Sequence, residues 1–515
     1  MSTPLVLVVG AGPSGMTTAI ELRRAGLNVR IIDKSSHPAL HSQALVVQAR
    51  TLEQLQRYGI AETAVAAGRK LTAAKFFSEG KELLSFELNR IPSRYHYALF
   101  LPQNDTEAIL NCFMESLGVE IERQTELVSF SQDTGGVTAT LRRLDGAQET
   151  IQPRWIIGCD GAHSVVRQMS QIAFEGEVIS LSFFLGDLEL DGPDAPTDFL
   201  AIHLHKGNVV FMGRLSDKLT RVIVALHSGQ EQHTGQELSL KDFQDPIDEA
   251  GIRVKVHSAE WMTPFHVNDR QASHYRNGNV FLVGDASHIH SPVGGQGMNT
   301  GMQDAANLAW KLAAVARGAD DGLLDSYEEE RSAVGKALLK STGRGLRMAT
   351  SSNPIVEAFR DALLPHIASI SSVQERMLGF ISETAIEYRS SSIVEDHGGD
   401  GSLRAGDRMP DLSIGEKDGA NRLLQHWTES SHFALMLNGT EDEKSRVKAQ
   451  LANTSLRSLH SSDLDDQGLS MLGKEAKIVV VRPDGYVGFR GPIDKTESLL
   501  AYLGKTGALQ PVLAP

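Results

Sequence analysis

The chain has 515 residues and a net charge of −14, from 50 Lys and Arg against 64 Asp and Glu. With no basic cluster, that balance argues against a nucleic-acid partner, which would need gathered Lys and Arg to neutralise phosphates. A hydrophobic share of 41% and only two cysteines, Cys112 and Cys159, describe a globular chain of two or three domains without a disulfide framework or a metal site, suited to the reducing cytoplasm.

The opening residues lack a basic signal-peptide start. Leu5 to Val9 is an apolar run of strand length that leads into Gly10-Ala11-Gly12-Pro13-Ser14-Gly15. A helical stripe follows through Met16, Ala19, Ile20 and Leu22, and a second apolar run, Val29 to Ile32, ends at Asp33-Lys34. This strand, glycine loop, helix, strand and acid make a dinucleotide-binding unit. The glycines admit a pyrophosphate to the helix N-terminus, and Asp33, 21 residues beyond Gly12, is placed for ribose hydroxyls.

Residues 42 to 59 read as a loop running into an amphipathic helix, with Arg50 near its start where a cation can reach a phosphate. Another loop-to-helix junction spans Leu99 to Leu110 and offers Gln103 as a donor. Alternating stretches follow, and Trp155 to Cys159 forms a buried-type strand that stops at Asp160-Gly161. From about 175 to 270 the pattern is β-rich, which predicts a mostly antiparallel sheet inserted as a substrate domain. Phe183, Phe184, Phe199, Phe211, Trp261, Met262 and Phe265 offer it an apolar lining. His203 and His205 share one strand face by period two, and with Tyr95 they are the candidates for orienting or deprotonating a phenol.

Val280 to Val283 is a third strand, ending at Gly284-Asp285. A loop containing Pro292, Gly294, Gly295 and Gly297 then opens a helix near Met298 and Asn299. One carboxylate at a strand end beside bare helix N–H groups suits a polyhydroxylated ligand with a flat, electron-poor ring. No run approaches the ~20 apolar residues of a membrane span. Long helical patterns lead to Tyr388 to Leu403, which reads as a linker rich in Ser, Gly and charge. A smaller α/β module with thioredoxin-like element order closes the chain, and it has no cysteine for thiol chemistry.

Three fingerprints now stand in order: the Gly10 to Gly15 loop, Asp160-Gly161 within GCDGAHSVVR, and Gly284-Asp285 within GDASHIHSPVGGQGMNTGMQDAANLAWKL. With RAGDRMP and VVVRPDGYVGFRG in the tail, the chain resembles the class A FAD-dependent aromatic hydroxylases, of the p-hydroxybenzoate hydroxylase fold, in the phenol and polyketide hydroxylase branch. The resemblance implies an α/β Rossmann-type FAD domain over residues 1–175 and 271–400, a substrate sheet over 176–270 and a thioredoxin-like domain over 404–515. It also implies tight, non-covalent FAD, with NADPH or NADH as a transient reductant and O2 and a small phenolic or polyketide-type aromatic as partners. Hydroxylation would run through a flavin C4a-hydroperoxide; Baeyer-Villiger or decarboxylating oxygenation are the alternatives on the same fold, and a nicotinamide dehydrogenase or a non-catalytic flavin protein lie further off.

By the same resemblance, Gly10, Gly12, Pro13, Ser14 and Gly15 hold the pyrophosphate, and Asp33 with the adjoining Lys34 meets the adenosine ribose. Arg50 and Gln103 contact the flavin, Asp160 serves both cofactors, and Gly284-Asp285 takes the ribityl chain. Pro292, Gly295, Gly297, Met298 and Asn299 lie along the isoalloxazine edge. Gln43 stands where relatives often carry Arg or Lys, which leaves NADPH and NADH both open. A homodimer is expected on general grounds.

Overall fold

The computed structural model describes residues 6–38, 44–133, 136–179, 181–227, 238–265, 267–291, 294–368, 370–399, 401–412, 433–451, 457–460, 470–473 and 475–509. Four parallel strands form the centre of the first sheet: Val29–Ile32, Val6–Val9, Trp155–Gly158 and Val280–Leu282, in that spatial order. Apart from Arg30, which pairs with Glu122 and Glu149, all four are apolar, as a sheet covered on both faces requires. Helices α1 (Pro13–Arg24) and α2 (Ala49–Arg57) belong to this domain. Val6, Leu7 and Val8 are fully buried, as are Trp155, Ile156 and Ile157.

A seven-stranded sheet forms the second body, built largely of long antiparallel strands: Leu181–Asp191, Phe199–His205, Asn208–Arg214, Leu219–His227 and Lys255–Phe265. Two further strands, Ala73–Ser78 and Lys81–Glu87, come from upstream of the expected 176–270 insertion and complete it. Phe199–His205 runs parallel to Ala73–Ser78, so the hydrogen-bond ladder crosses the expected domain boundary. Both faces of the sheet are covered. Helix α3 (Lys241–Glu249) lies on the outer face, where Phe243 and Ile247 pack against Phe184, Val210, Val222 and Val224. The inner face carries Phe183, Ile202, Leu204, Phe211, Ile223 and Phe265.

The buried helix α4 (Gly297–Ala316) follows the third strand end, and α5 (Asp325–Ala349) packs against it. Helix α6 (Ser371–Ile381) then leads into the stretch read as a linker. That stretch is packed: Tyr388, Ile393 and Leu403 are each 3% exposed or less, and Glu395–Asp396 pairs with the C-terminal sheet. Its polar composition misleads because the carboxylates there make structural bonds. Asp396, for example, accepts from the backbone N–H groups of Gly398 and Ala405.

The C-terminal module places Ala434–Leu437 parallel to Arg457–His460 and antiparallel to Ile478–Val481, which makes a hairpin with Val487–Gly491. Helix Thr496–Lys505 closes it, in the order of a thioredoxin-like core. The module docks through buried ion pairs. Arg482 bonds Glu330 of α5, at 2.6 and 2.9 Å, and Arg408 bonds Glu53 of α2 at 2.9 Å. Burial works against the Glu330 carboxylate, yet Arg482 and Lys311 hold it well below the ordinary range.

Candidate active site

Adjacent parallel strands bring the three glycine corners together at one edge of the first sheet. Val9 pairs with both Ile32 and Gly158, and Gly158 pairs with Leu282. The Cys159 N–H donates to the Val9 carbonyl at 2.7 Å, and the Val283 N–H to Gly158 at 3.0 Å. Because the strands end in register, the corners that follow them lie side by side.

Close backbone approach explains the glycines. A Cβ on Gly15 would lie 1.9 Å from the Gly10 carbonyl oxygen, so only glycine fits where α1 meets the loop. The third corner touches the first. A Cβ on Gly284 would meet the Ser14 hydroxyl at 2.5 Å, and that residue has φ +65°. Gly12 differs, since a Cβ there would meet nothing within 4 Å. Its bare backbone faces open space at the start of α1, where Pro13 takes the first turn and no side chain caps the free N–H groups. Asp33 turns back to this loop, accepting the Ala11 N–H at 2.8 Å, and Lys34 is exposed beside it.

At the second corner, Asp160 caps a short helix. It accepts the Val165 N–H at 2.7 Å and the Val166 N–H at 3.2 Å, and the Ser164 hydroxyl donates to it at 2.5 Å. Burial pushes its carboxyl up, and those bonds oppose the shift. At the third corner Asp285 is the one exposed residue in an otherwise buried run from 284 to 288. Packed protein still surrounds it, and desolvation pushes its carboxyl up. A side chain that is open to solvent yet crowded by its neighbours lines a concavity.

The loop before α4 is held by side chains from the first domain. Asn299 donates to the carbonyls of Val46 and Gly295, each at 2.8 Å, and accepts the Gln48 N–H at 2.9 Å. The Gln48 amide donates to the Gly294 carbonyl at 2.8 Å. Gly295, Gly297 and Met298 are partly open, and α4 begins with no side-chain cap, leaving its first N–H groups for a ligand. Pro292 and Gln43 lie outside the described residues.

Not every expected ligand contact faces this cleft. Arg50 is 5% exposed and committed elsewhere: its guanidinium donates to Glu53 at 2.9 Å and to the Asp484 carbonyl at 2.7 Å, and sits over the Tyr486 ring. The C-terminal module has claimed it. Gln103 accepts the Ala44 N–H at 3.2 Å and donates to Glu107 at 2.8 Å, which places it against the loop but bonded within the protein.

The three base candidates are corrected by geometry. His203 stacks on Phe77 with ring centroids 4.6 Å apart, and its strand alternation puts it with Ala201 on the outer face under α3. Burial brings its pKa down to about 4, so it is neutral. His205 shares that face and meets Glu79 at 3.1 Å. Tyr95 is 3% exposed and donates to Gln56 at 2.8 Å, and burial pushes its phenol up. None of the three is presented to the cleft.

What faces the cleft is the inner side of the sheet. Its middle row runs Leu185, Ile223, Phe211, Ile202 and Phe76 across neighbouring strands. This face turns toward the cofactor loop. A Cβ on Gly213, two residues from Phe211, would lie 2.1 Å from the Phe100 ring, and Phe100 pairs with Val46 beside Gly295. The aromatic lining therefore divides, with Phe183, Phe211, Trp261 and Phe265 inward and Phe184, Phe199 and Met262 outward.

Two polar features escaped the sequence reading. Arg221 makes a two-pronged bond to Asp187, at 2.6 and 2.7 Å, one row from Ile223 and Leu185 on the inner face. A lone Arg in the apolar strand Leu219–His227 was the available signal. His290, beside Gly297, bonds the Ser291 carbonyl through Nδ1 and leaves Nε2 unpartnered, and burial brings it down to about 4.

Open backbone at Gly12, two uncapped helix starts and a carboxylate in a concavity fit FAD. The comparisons agree. Residues 3–342 match the FAD binding domain family and residues 402–507 match the aromatic-ring hydroxylase C-terminal family. The chain is 31% identical to 6-methylpretetramide 4-monooxygenase of Streptomyces rimosus, over 99% of its own length and 95% of the relative's. It is also 31% identical to pentachlorophenol 4-monooxygenase of Sphingobium chlorophenolicum, over 96% and 95%. An anhydrotetracycline hydroxylase from Streptomyces rimosus superposes with a TM-score of 0.81 at 28% identity, over 99% of each chain. Corner by corner and end to end, this chain belongs to the class A FAD-dependent aromatic hydroxylases, and it is a flavoprotein monooxygenase.

Proposed function

We propose that this monooxygenase hydroxylates a multi-ring phenolic substrate of the polyketide type, using NAD(P)H and O2. The carrying observation is the inner sheet face, where Leu185, Ile223, Phe211, Ile202 and Phe76 form a continuous apolar row opposite the cofactor loop. A row spanning five strands is roughly 20 Å wide at the usual strand spacing, broader than a single ring needs. The names of relatives acting on 6-methylpretetramide and anhydrotetracycline support the same reading.

Bound FAD, once reduced by NAD(P)H, supplies the activation of dioxygen. The protein's part is to hold, orient and keep dry. The apolar row excludes water from the ring under attack. The Asp187–Arg221 pair at its edge offers the polar anchor that orients a phenol or carbonyl, and the N-terminus of α4 would favour negative charge on a cofactor held by 294–299, by about 1 kcal/mol. His290, neutral with a free Nε2, serves as a hydrogen-bond partner rather than a charge.

The test measures NAD(P)H oxidation with single-ring phenols and with multi-ring polyketide aromatics, using labelled O2 and mass analysis. Label entering a multi-ring product as one hydroxyl supports the proposal. Preferential stimulation by single-ring phenols overturns the substrate class, and an ester product overturns hydroxylation. Two unpaired cysteines, Cys112 exposed and Cys159 buried, suit the cytoplasmic location we infer, and sedimentation of the holoenzyme tests the inferred homodimer.

A further inference from the structure

One buried carboxyl close to the cofactor loop is used by none of the chemistry above. Glu383, just past the end of α6, is 1% exposed and has φ +61°, a backbone state that a non-glycine residue holds only when its surroundings impose it. Its Oε1 accepts the Thr300 hydroxyl at 3.0 Å, and its Oε2 accepts the Gln303 amide. Both partners lie in the first two turns of α4, behind the end that faces the cofactor loop.

The same short segment clasps that end from several sides. The Phe380 carbonyl accepts from the Gln296 amide at 2.8 Å, the Ser382 carbonyl from the Arg50 N–H at 3.2 Å, and the Thr384 carbonyl from Arg408 at 3.1 Å. Glu383 is therefore fixed from α2, α4 and the C-terminal module at once.

Among the described residues no cation is left for it. Arg331 of α5 is the guanidinium that acts on it, and its groups are committed to Asp304 at 2.5 Å, to the Tyr388 hydroxyl at 2.8 Å and to the Thr300 carbonyl at 3.1 Å. Asp304 of α4 is engaged in turn with Arg331, His288 and the Gly284 N–H. Arg50 and Arg408 share Glu53. Among the described residues Glu383 makes no ion pair, and its donors are a neutral hydroxyl and a neutral amide. A carboxyl so placed keeps its proton, because burying the unpaired charge costs more than losing the ionisation. Desolvation accordingly raises it to about 8, with Thr300, Arg331 and Gln303 opposing and Asp304 reinforcing.

We propose that Glu383 is a positioning residue for the cofactor helix, holding a proton behind its first turns and so setting how readily the flavin bound at the loop accepts electrons. This rests on FAD lying along 294–299. While Glu383 is neutral, the positive end of α4 acts undiminished on the charge that reduction brings. Once it ionises, a negative charge stands behind that end and disfavours the reduced flavin. A unit charge facing another across on the order of 10 Å, in an effective dielectric near 20, would change such a ratio about tenfold.

Glu383→Gln keeps the shape and removes the titration. The holoenzymes are reduced against redox dyes from about pH 6 to 9.5, a range that brackets the raised carboxyl. Wild type is expected to lose about tenfold in that ratio, beyond the ordinary proton dependence, above pH 8, and the variant to show no such break. Superimposable curves overturn the proposal.

The apoproteins give a second reading that needs no flavin. A carboxyl with a raised folded pKa stabilises fully below its unfolded value and loses that stability as pH rises to the folded one. The melting temperature of E383Q minus that of wild type must therefore grow from about pH 4.5 to 8 and then level off. A flat difference overturns the protonated carboxyl. If neither protein binds FAD, the cofactor reading fails while the melts still decide Glu383. If the variant does not fold, the carboxylic C=O stretch of wild type, followed by infrared difference spectroscopy, must vanish above pH 8, and its absence at neutral pH overturns the proposal.

Discussion

The cofactor edge and the inner sheet face approach each other at Phe100, but they are built from different material. The edge is made of main chain: glycines that let strands and helix touch, uncapped N–H groups, and a few carboxylates at strand ends. The sheet face is made of side chains, and its character depends on which alternate residues point inward. A main-chain site tolerates almost no added atom, whereas a side-chain site tolerates substitution by degrees. That difference can be broken or sharpened by mutation.

The largest effect falls on the edge. Gly15→Ala drives a methyl to 1.9 Å from the Gly10 carbonyl, overpacking worth about 3 kcal/mol, so FAD affinity should fall on the order of 100-fold by fluorescence titration. If Gly15→Ala binds FAD normally, the main-chain account of the edge is wrong. Next comes the outer sheet face. His203 is 7% exposed and neutral down to about pH 4, while the unfolded chain takes up a proton near 6.5. The protein therefore loses stability as pH falls through that interval, and His203→Phe should recover about 2 kcal/mol at pH 5 in urea unfolding.

Asp285→Asn keeps the shape of the third corner but weakens its acceptor, and about a tenfold loss of FAD affinity is expected, with the melting temperature of the apoprotein at neutral pH no lower, since the carboxylate it removes is one that desolvation disfavours. On the inner face, Phe211→Leu should raise KM for a multi-ring substrate a few-fold, roughly 1 kcal/mol, and leave FAD affinity alone. Smallest of all, His203→Phe should hold kcat near neutral pH within about twofold, since the outer face never meets the ring. A larger loss would return His203 to the list of proton carriers.

The same contrast explains what could be read from the residues alone. Gly10, Gly15 and Gly284 announce themselves because no other residue fits the contacts they make, and Asp33 and Asp285 follow them at fixed offsets. Period two correctly grouped His203 with His205, but it could not say which face looked inward, because α3 makes the outer face as buried as the inner one. Arg50 sets a different limit. Its partners, Asp484 and Tyr486, lie more than 430 residues away, in a module whose docking no local pattern reveals. The composition of Tyr388 to Leu403 suits a tether, yet its acids and glycines make a packed turn against the C-terminal sheet. Glu383 carried no signal, since one Glu in a polar stretch looks solvated until the chain buries it.

The parallel pairing of Phe199–His205 with Ala73–Ser78 sets an order of events on the ribosome. A strand made early has its hairpin partner Lys81–Glu87 on one edge, but its other edge must wait for a partner separated from it by well over a hundred residues of synthesis. The nucleotide fold waits as long, because Val6–Val9 pairs with Trp155–Gly158, so both bodies hold apolar strand edges open to wrong partners during synthesis. Low yield or inclusion-body formation on overexpression would be expected to start at those open edges.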